Sequence, residues 1–319
     1  DAEMRRVVFA AIALAGSASC LRAPPRALQA ARPARLQRCR SPQQQPTMSL
    51  PTYAFMLPTA TVVATTCQLC GIGGAALFSP IFLLVFPLLG PRYPLASPAA
   101  AVASALLTEA FGFSSGLVGY ARRGLVVWDV SADLAKVAVP VAVAGAAAAP
   151  LVAGDVRALR ACYALLMLCL SARLLAGERD DPDACVYEGA REVVDSDGVS
   201  YTFDAPERDA AGPAQGAGGA FLTGLLGVGV GEVVLPSLTR DCGMPVPVAA
   251  GSSVAVVFAA AAAAAVAQFA QLADAAGGDV AAVVPWDLVA FTVPGVVLGG
   301  QIAPRLAGRR GDAQNPGGH

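Results

Sequence analysis

The chain has 319 residues and a net charge of −1, with 55% hydrophobic residues, only 14% charged ones and a mean hydropathy of +0.58. A soluble domain carries about 25% charged residues, so this balance excludes an ordinary soluble protein and offers no basic surface for nucleic acid. The single histidine is the terminal His319, which excludes histidine triads, histidine metal sites and histidine proton relays.

Residues 1–47 read as a targeting segment. Met4-Arg5-Arg6 is a basic start, residues 7–15 are a short apolar core, and Gly16-Ser17-Ala18-Ser19 offers small residues for cleavage. That is the layout of a signal peptide. The stretch after it, to Pro46, is rich in arginine and proline and has no acid, like a transit peptide. The pair resembles the two-part plastid address of algae with complex plastids, so a plastid membrane is expected, with plasma membrane or endomembrane as the other settings. The competing reading starts the protein at Met48.

The apolar chain begins near Leu50. The first expected membrane segment covers residues 53–70, the second 75–89, the third 98–120, the fourth 134–152 and the fifth 156–175. They make up a first transmembrane repeat over residues 50–176. Residues 177–213 change character: acids crowd between Glu178 and Asp209, which predicts a solvated acidic loop. A second repeat, 214–310, restarts the pattern with segments at 218–226, 230–238, 246–272 and 286–302. No counterpart of the fifth segment follows, and 311–319 read as a polar tail.

Each repeat is interrupted at the same place. Gly71, Gly73 and Gly74 precede Pro80; Gly227, Gly229 and Gly231 precede Pro236. Glycine costs a helix roughly 1 kcal/mol relative to alanine, so such clusters unwind it. In a bilayer, unwound backbone is tolerated only where protein or a polar cavity surrounds it. Gly-interrupted segments at matching positions of two halves are a sequence pointer to a transporter's binding site.

The halves share more than the breaks. Val139-Pro140, Val143, Gly145 and Ala149-Pro150 match Val293-Pro294, Val297, Gly299 and Ala303-Pro304; Trp128-Asp129 matches Trp286-Asp287, and Pro94 matches Pro245. The expected fold is an all-α polytopic membrane protein of two homologous repeats. Parity leaves two arrangements. If each broken pair continues across the membrane, the halves are parallel; if it is a re-entrant hairpin, they are inverted. The inverted arrangement is preferred, because hairpins meeting at the midplane create one shared site. Arginines on both sides of the fourth segment leave the orientation open.

These motifs carry a resemblance. The break from Gly71 to Pro80, the run from Gly224 to Glu232 with Pro245 to Ser253, and the block from Val293 to Pro304 resemble the TauE/SafE family of sulfite exporters. The resemblance covers about residues 53–310 outside the acidic loop. It implies multi-pass transport of small sulfur-containing anions such as sulfite and organosulfonates. This chain departs from the family pattern at Gly229-Val230-Gly231-Glu232, where many members carry three consecutive glycines.

No nucleotide-binding motif is present, so a gradient would supply the energy, and no cofactor or metal is called for. Gly71, Gly73, Gly74, Gly227, Gly229, Gly231, Ser252 and Ser253 are the candidate substrate-binding residues. Helix starts at the breaks would offer backbone N–H groups to an anion. Glu232 and Glu109 are acids within the apolar chain and are candidates for proton coupling. Glu109 as a neutral carboxyl bonded to a neighbouring helix, Glu232 as a helix-start acid, and the two serines as packing residues are the structural alternatives. Cys67 and Cys70 form a Cys-x-x-Cys, read as small packing residues rather than a redox pair. The leading reading is a secondary anion transporter, with a small anionic substrate and the lipid bilayer as its partners. The alternative is a non-transporting assembly or signalling protein that keeps the fold. No catalytic residue stands out.

Overall fold

The computed structural model of the protein describes residues 53–89, 98–153, 187–206, 213–275 and 284–314, with helical residues 161, 164, 165 and 168. The targeting segment and most of the fifth expected segment lie outside the described residues.

Glycine, proline and hydropathy set where the helices start and stop. Helix α1 (Met56–Leu69) runs into the first glycine break. Beyond it come α2 (Ala75–Pro80), a π-helical turn (Ile81–Val85) and α3 (Phe86–Leu89). The long helices α4 (Pro98–Arg122) and α5 (Trp128–Ala153) follow. After the strands β1 (Tyr187–Val194) and β2 (Ser200–Pro206), helix α6 (Pro213–Leu226) leads to the second break. Then come α7 (Val230–Pro236), another π-helical turn (Ser237–Asp241), α8 (Val246–Ala275) and α9 (Trp286–Gln314). Both π turns follow directly on a proline, Pro80 or Pro236. Proline has no N–H to give the regular ladder and crowds the carbonyl four residues back, so a widened turn is the local solution.

The all-α expectation is corrected to mostly helical. Residues 187–206, read as acidic loop, form an antiparallel strand pair in which Arg191 stands opposite Phe203 and Val194 opposite Ser200. Two boundaries also move. The fourth segment begins at Trp128 rather than 134, because Asp129 sits in the helix's first turn, where the dipole favours an acid. The last helix runs on to Gln314, past the expected end at 302.

Among the described residues, four helices are long and apolar enough to cross a membrane: most of α4, most of α5, α8 and the first part of α9. Their outward residues include Phe111, Val266 and Leu298, as a lipid-facing surface requires. The directions of the four follow from their contacts. Thr108 meets Thr292, Ser115 donates to the Val297 carbonyl and Arg123 to the Pro304 carbonyl, so α4 and α9 run parallel. Val127 and Ser131 meet Ser252, and Gln271 donates to the Ala146 carbonyl, so α5 and α8 also run parallel. The start of α8 lies against the end of α4, where Gly251 abuts Leu125 and Tyr120. Helices α4 and α8 are therefore antiparallel.

The segments around the first break double back. Tyr53, just before α1, packs on Phe86 of α3 with ring centroids 5.9 Å apart. The two ends of this segment pair therefore come together, and the chain doubles back between them. Its α1 arm packs on α9, while α6, the arm before the second break, packs on α5. Close approach is built from small residues. A methyl group at Gly299 would lie 2.6 Å from the Thr61 carbonyl oxygen, and one at Gly300 would lie 2.7 Å from that of Gly112. Buried glutamines bridge the remaining gaps: Gln68 donates to the Gly112 carbonyl at 2.9 Å and Gln268 to the Gly224 carbonyl at 2.7 Å.

Candidate functional site

The two glycine breaks lie against each other. A side chain on Gly231 would come within 2.6 Å of the Gly71 carbonyl oxygen and 2.8 Å of the Gly73 nitrogen, so the start of α7 rests on the first break's backbone. The contact is reciprocal. Gly71 faces Leu235 of α7, and Gly227 faces Ala75 and Ser79 of α2. Gly71 and Gly227 both take positive φ, 62° and 84°, a conformation open to glycine and strained for other residues. That is the local reason each helix stops and re-aims there.

Two carboxyls converge where the breaks meet. A methyl group built on Gly73 would lie 2.9 Å from Glu109 Oε1 and 3.3 Å from Glu232 Oε1. Glu109 comes from the middle of α4 and is 2% exposed; Glu232 comes from the first turn of α7 and is 7% exposed. Backbone N–H groups face both. Those of Ala75 and Gly74 are aimed at the Glu109 carboxyl. Gly229 donates to Glu232 Oε2 at 2.9 Å, and the Gly73 N–H is directed at the same carboxyl. The next N–H of α7, that of Val230, goes to Thr223 Oγ1 at 2.8 Å. One oxygen of each acid, Glu109 Oε2 and Glu232 Oε1, is buried without a hydrogen-bond partner.

The arrangement bears on each expected site residue. The N–H groups of Gly73 and Gly229, assigned from sequence to a bound anion, converge on an anion of the protein itself, the Glu232 carboxylate. Gly71, Gly74, Gly227 and Gly231 line the crossing of the breaks. Ser253 borders it, its Oγ 3.0 Å from where a Gly71 side chain would begin, while donating to the Ala250 carbonyl. Ser252 is elsewhere: its Oγ accepts the Val127 N–H at 3.0 Å, at the start of α5.

Cys67, read from sequence as a packing residue, is a buried free thiol one turn before the break. Among the described residues, no group of three or more potential metal ligands comes together.

Broken helices that meet over two buried acids, together with four membrane-length helices among the described residues, are the build of a multi-pass membrane protein. The chain belongs to the sulfite exporter TauE/SafE family, whose model matches residues 46–314. The family is one of transporters rather than enzymes. No curated protein and no solved structure matches the chain.

Proposed function

We propose that the chain is a secondary transporter of small anions of the sulfite or organosulfonate class, coupled to protons. The observation that carries this reading is the convergence of the Gly73 and Gly229 N–H groups, one from each break, on a single carboxylate. A pair of backbone donors that holds a carboxylate has the chemistry to hold a sulfite or sulfonate oxygen. An incoming anion competes with Glu232 for these donors. A proton on Glu232 removes its charge and its claim on them, which couples the two ligands. Family membership supports the substrate class.

The reading includes two homologous halves in inverted orientation. It is supported by the antiparallel course of α4 and α8, and by the exchange in which α1 packs on α9 while α6 packs on α5. The bonds from Gln68 to Gly112 and from Gln268 to Gly224 join equivalent positions with donor and acceptor exchanged, related by one constant offset in the sequence. Inverted halves around a central site are the geometry of alternating access.

The test is flux. Full-length protein in proteoliposomes should carry sulfite or a small sulfonate down its gradient, with a rate that responds to an imposed pH gradient. Gly229→Leu should abolish the flux in protein that still inserts. Absence of flux above empty liposomes for every small oxyanion tried would refute the transporter reading.

A further inference from the structure

We propose that Glu109 and Glu232 form one proton-binding site shared between the two halves of the molecule, with a single proton held between their carboxyls beside Gly73. The inference deepens the transport reading and rests on it for its consequence, though not for its measurement.

Geometry comes first. Glu109 Oε1 and Glu232 Oε1 lie within 2.9 Å and 3.3 Å of the same point, the position of a side chain that Gly73 lacks. The carboxyls are therefore neighbours, directly or across one water. The second observation is the unmet hydrogen bonding. Glu109 Oε2 and Glu232 Oε1 are buried acceptors with no donor, and such atoms cost free energy when left so. A proton on either acid turns an acceptor into a donor and lets one carboxyl satisfy the other. The backbone N–H groups at each break meanwhile stabilise whichever acid stays charged.

Among the described residues, the surroundings leave no other neutraliser. The titratable group facing the pair from α1 is the Cys67 thiol, and it is uncharged unless ionised. From α7 and α4 the acids face each other. The buried described residues include no lysine, arginine or histidine. Two charges this close in a dry site repel strongly, so the first proton is lost far more readily than the second is given up, and the steps belong to the pair rather than to either acid.

The consequence is conformational. Glu109 stands on α4 of the first half and Glu232 on the hairpin of the second. Losing the shared proton puts like charges across the contact between halves and favours its opening; binding the proton closes it. The site thus acts as a proton-operated latch at the place where an anion would bind.

The experiment is infrared difference spectroscopy of the full chain in lipid nanodiscs, titrated by pH, on wild type, Glu109→Gln, Glu232→Gln and the double variant. Wild type should show a protonated-carboxyl signal that the double variant lacks, and this signal should be lost in one step as the pair gives up its shared proton. Either substitution alone should move the remaining acid's step by about one pH unit or more, equivalent to a tenfold change in proton affinity, and the double variant should remove the step altogether. Gly73→Ala keeps both acids but inserts a methyl group between them, and should also move the step. Two independent steps, each lost only with its own acid and with the other unmoved, would overturn the proposal. So would an unshifted step in a folded Gly73→Ala protein, or no protonated carboxyl at any pH. Because the signal is read without substrate, a failed flux assay beside an intact shared step counts against the transport reading alone.

Discussion

At the scale of single residues, the contact between breaks rests on glycines that are not interchangeable. Gly231→Ala would drive a methyl group to 2.6 Å from the Gly71 carbonyl oxygen and 2.8 Å from the Gly73 nitrogen, both backbone atoms that cannot turn aside. Overpacking of this kind costs about 1–3 kcal/mol. Gly218, in α6, has open space around its missing side chain, so Gly218→Ala should stabilise by up to about 1 kcal/mol through helix propensity. Thermal unfolding in detergent should therefore show Gly231→Ala melting below wild type and Gly218→Ala at or above it. Equal melting of the two variants would mean that the breaks do not touch as described. The site was partly legible at this scale. Glu232 stands out in sequence as an acid at the start of a Gly-broken apolar segment. Nothing in the sequence places Glu109 beside it, because the two are brought together by packing between separate halves. Gln68 and Gln268 were equally opaque, since a glutamine in an apolar run looks the same whether its carbonyl partner is near or absent.

At the scale of elements, the strand pair is the feature the sequence hid. Val193-Val194 and Tyr201-Thr202-Phe203 flank Asp195-Ser196-Asp197-Gly198, the residue types of a hairpin turn. The density of acids around them argued for a solvated loop and outweighed that pattern. The hairpin is tied to the rest of the protein through Arg123, in the turn between α4 and α5. Arg123 pairs with Asp197, lies 3.8 Å from Asp195 and donates to the Pro304 carbonyl of α9 at 2.8 Å. Its own carbonyl accepts the Ser196 N–H at 3.1 Å. One side chain thus joins the hairpin, α4 and α9. Asp195 is almost wholly buried, with its side chain 1% exposed. Arg123→Ala would leave that carboxyl with no cation beside it, a loss on the order of 1–3 kcal/mol. Arg191 pairs with Asp129 at 2.6 Å, but both side chains are much more exposed, and pairs of that kind contribute about 0–1 kcal/mol. Limited proteolysis should cut residues 187–206 faster in Arg123→Ala than in wild type, and leave Arg191→Ala close to wild type. The reverse order would show that the hairpin is held elsewhere.

At the scale of the whole molecule, the sequence offered two arrangements, parallel and inverted, and favoured the inverted one only through the single shared site it would create. The choice depends on whether each broken pair crosses the membrane or turns back, and short apolar segments of about ten residues fit both. Two tertiary contacts support the inverted arrangement: Tyr53 stacks on Phe86, so the first broken segment doubles back, and Gly251 against Leu125 sets α8 antiparallel to α4. The end of α3 and the start of α8 then face opposite sides of the membrane. Leu89 and Val246 mark these two points, and both side chains are exposed, at 51% and 53%. Leu89→Cys and Val246→Cys, each in an otherwise cysteine-free protein, should react with a membrane-impermeant maleimide from opposite sides of sealed, uniformly oriented vesicles. Parallel halves would place the corresponding ends of the two hairpins on the same side. Labelling of both positions from one side would therefore refute the inverted arrangement. It would also remove the basis for a shared site, since the segment carrying Glu232 could then not come from the opposite face to meet Gly73 of the first break and Glu109 of α4.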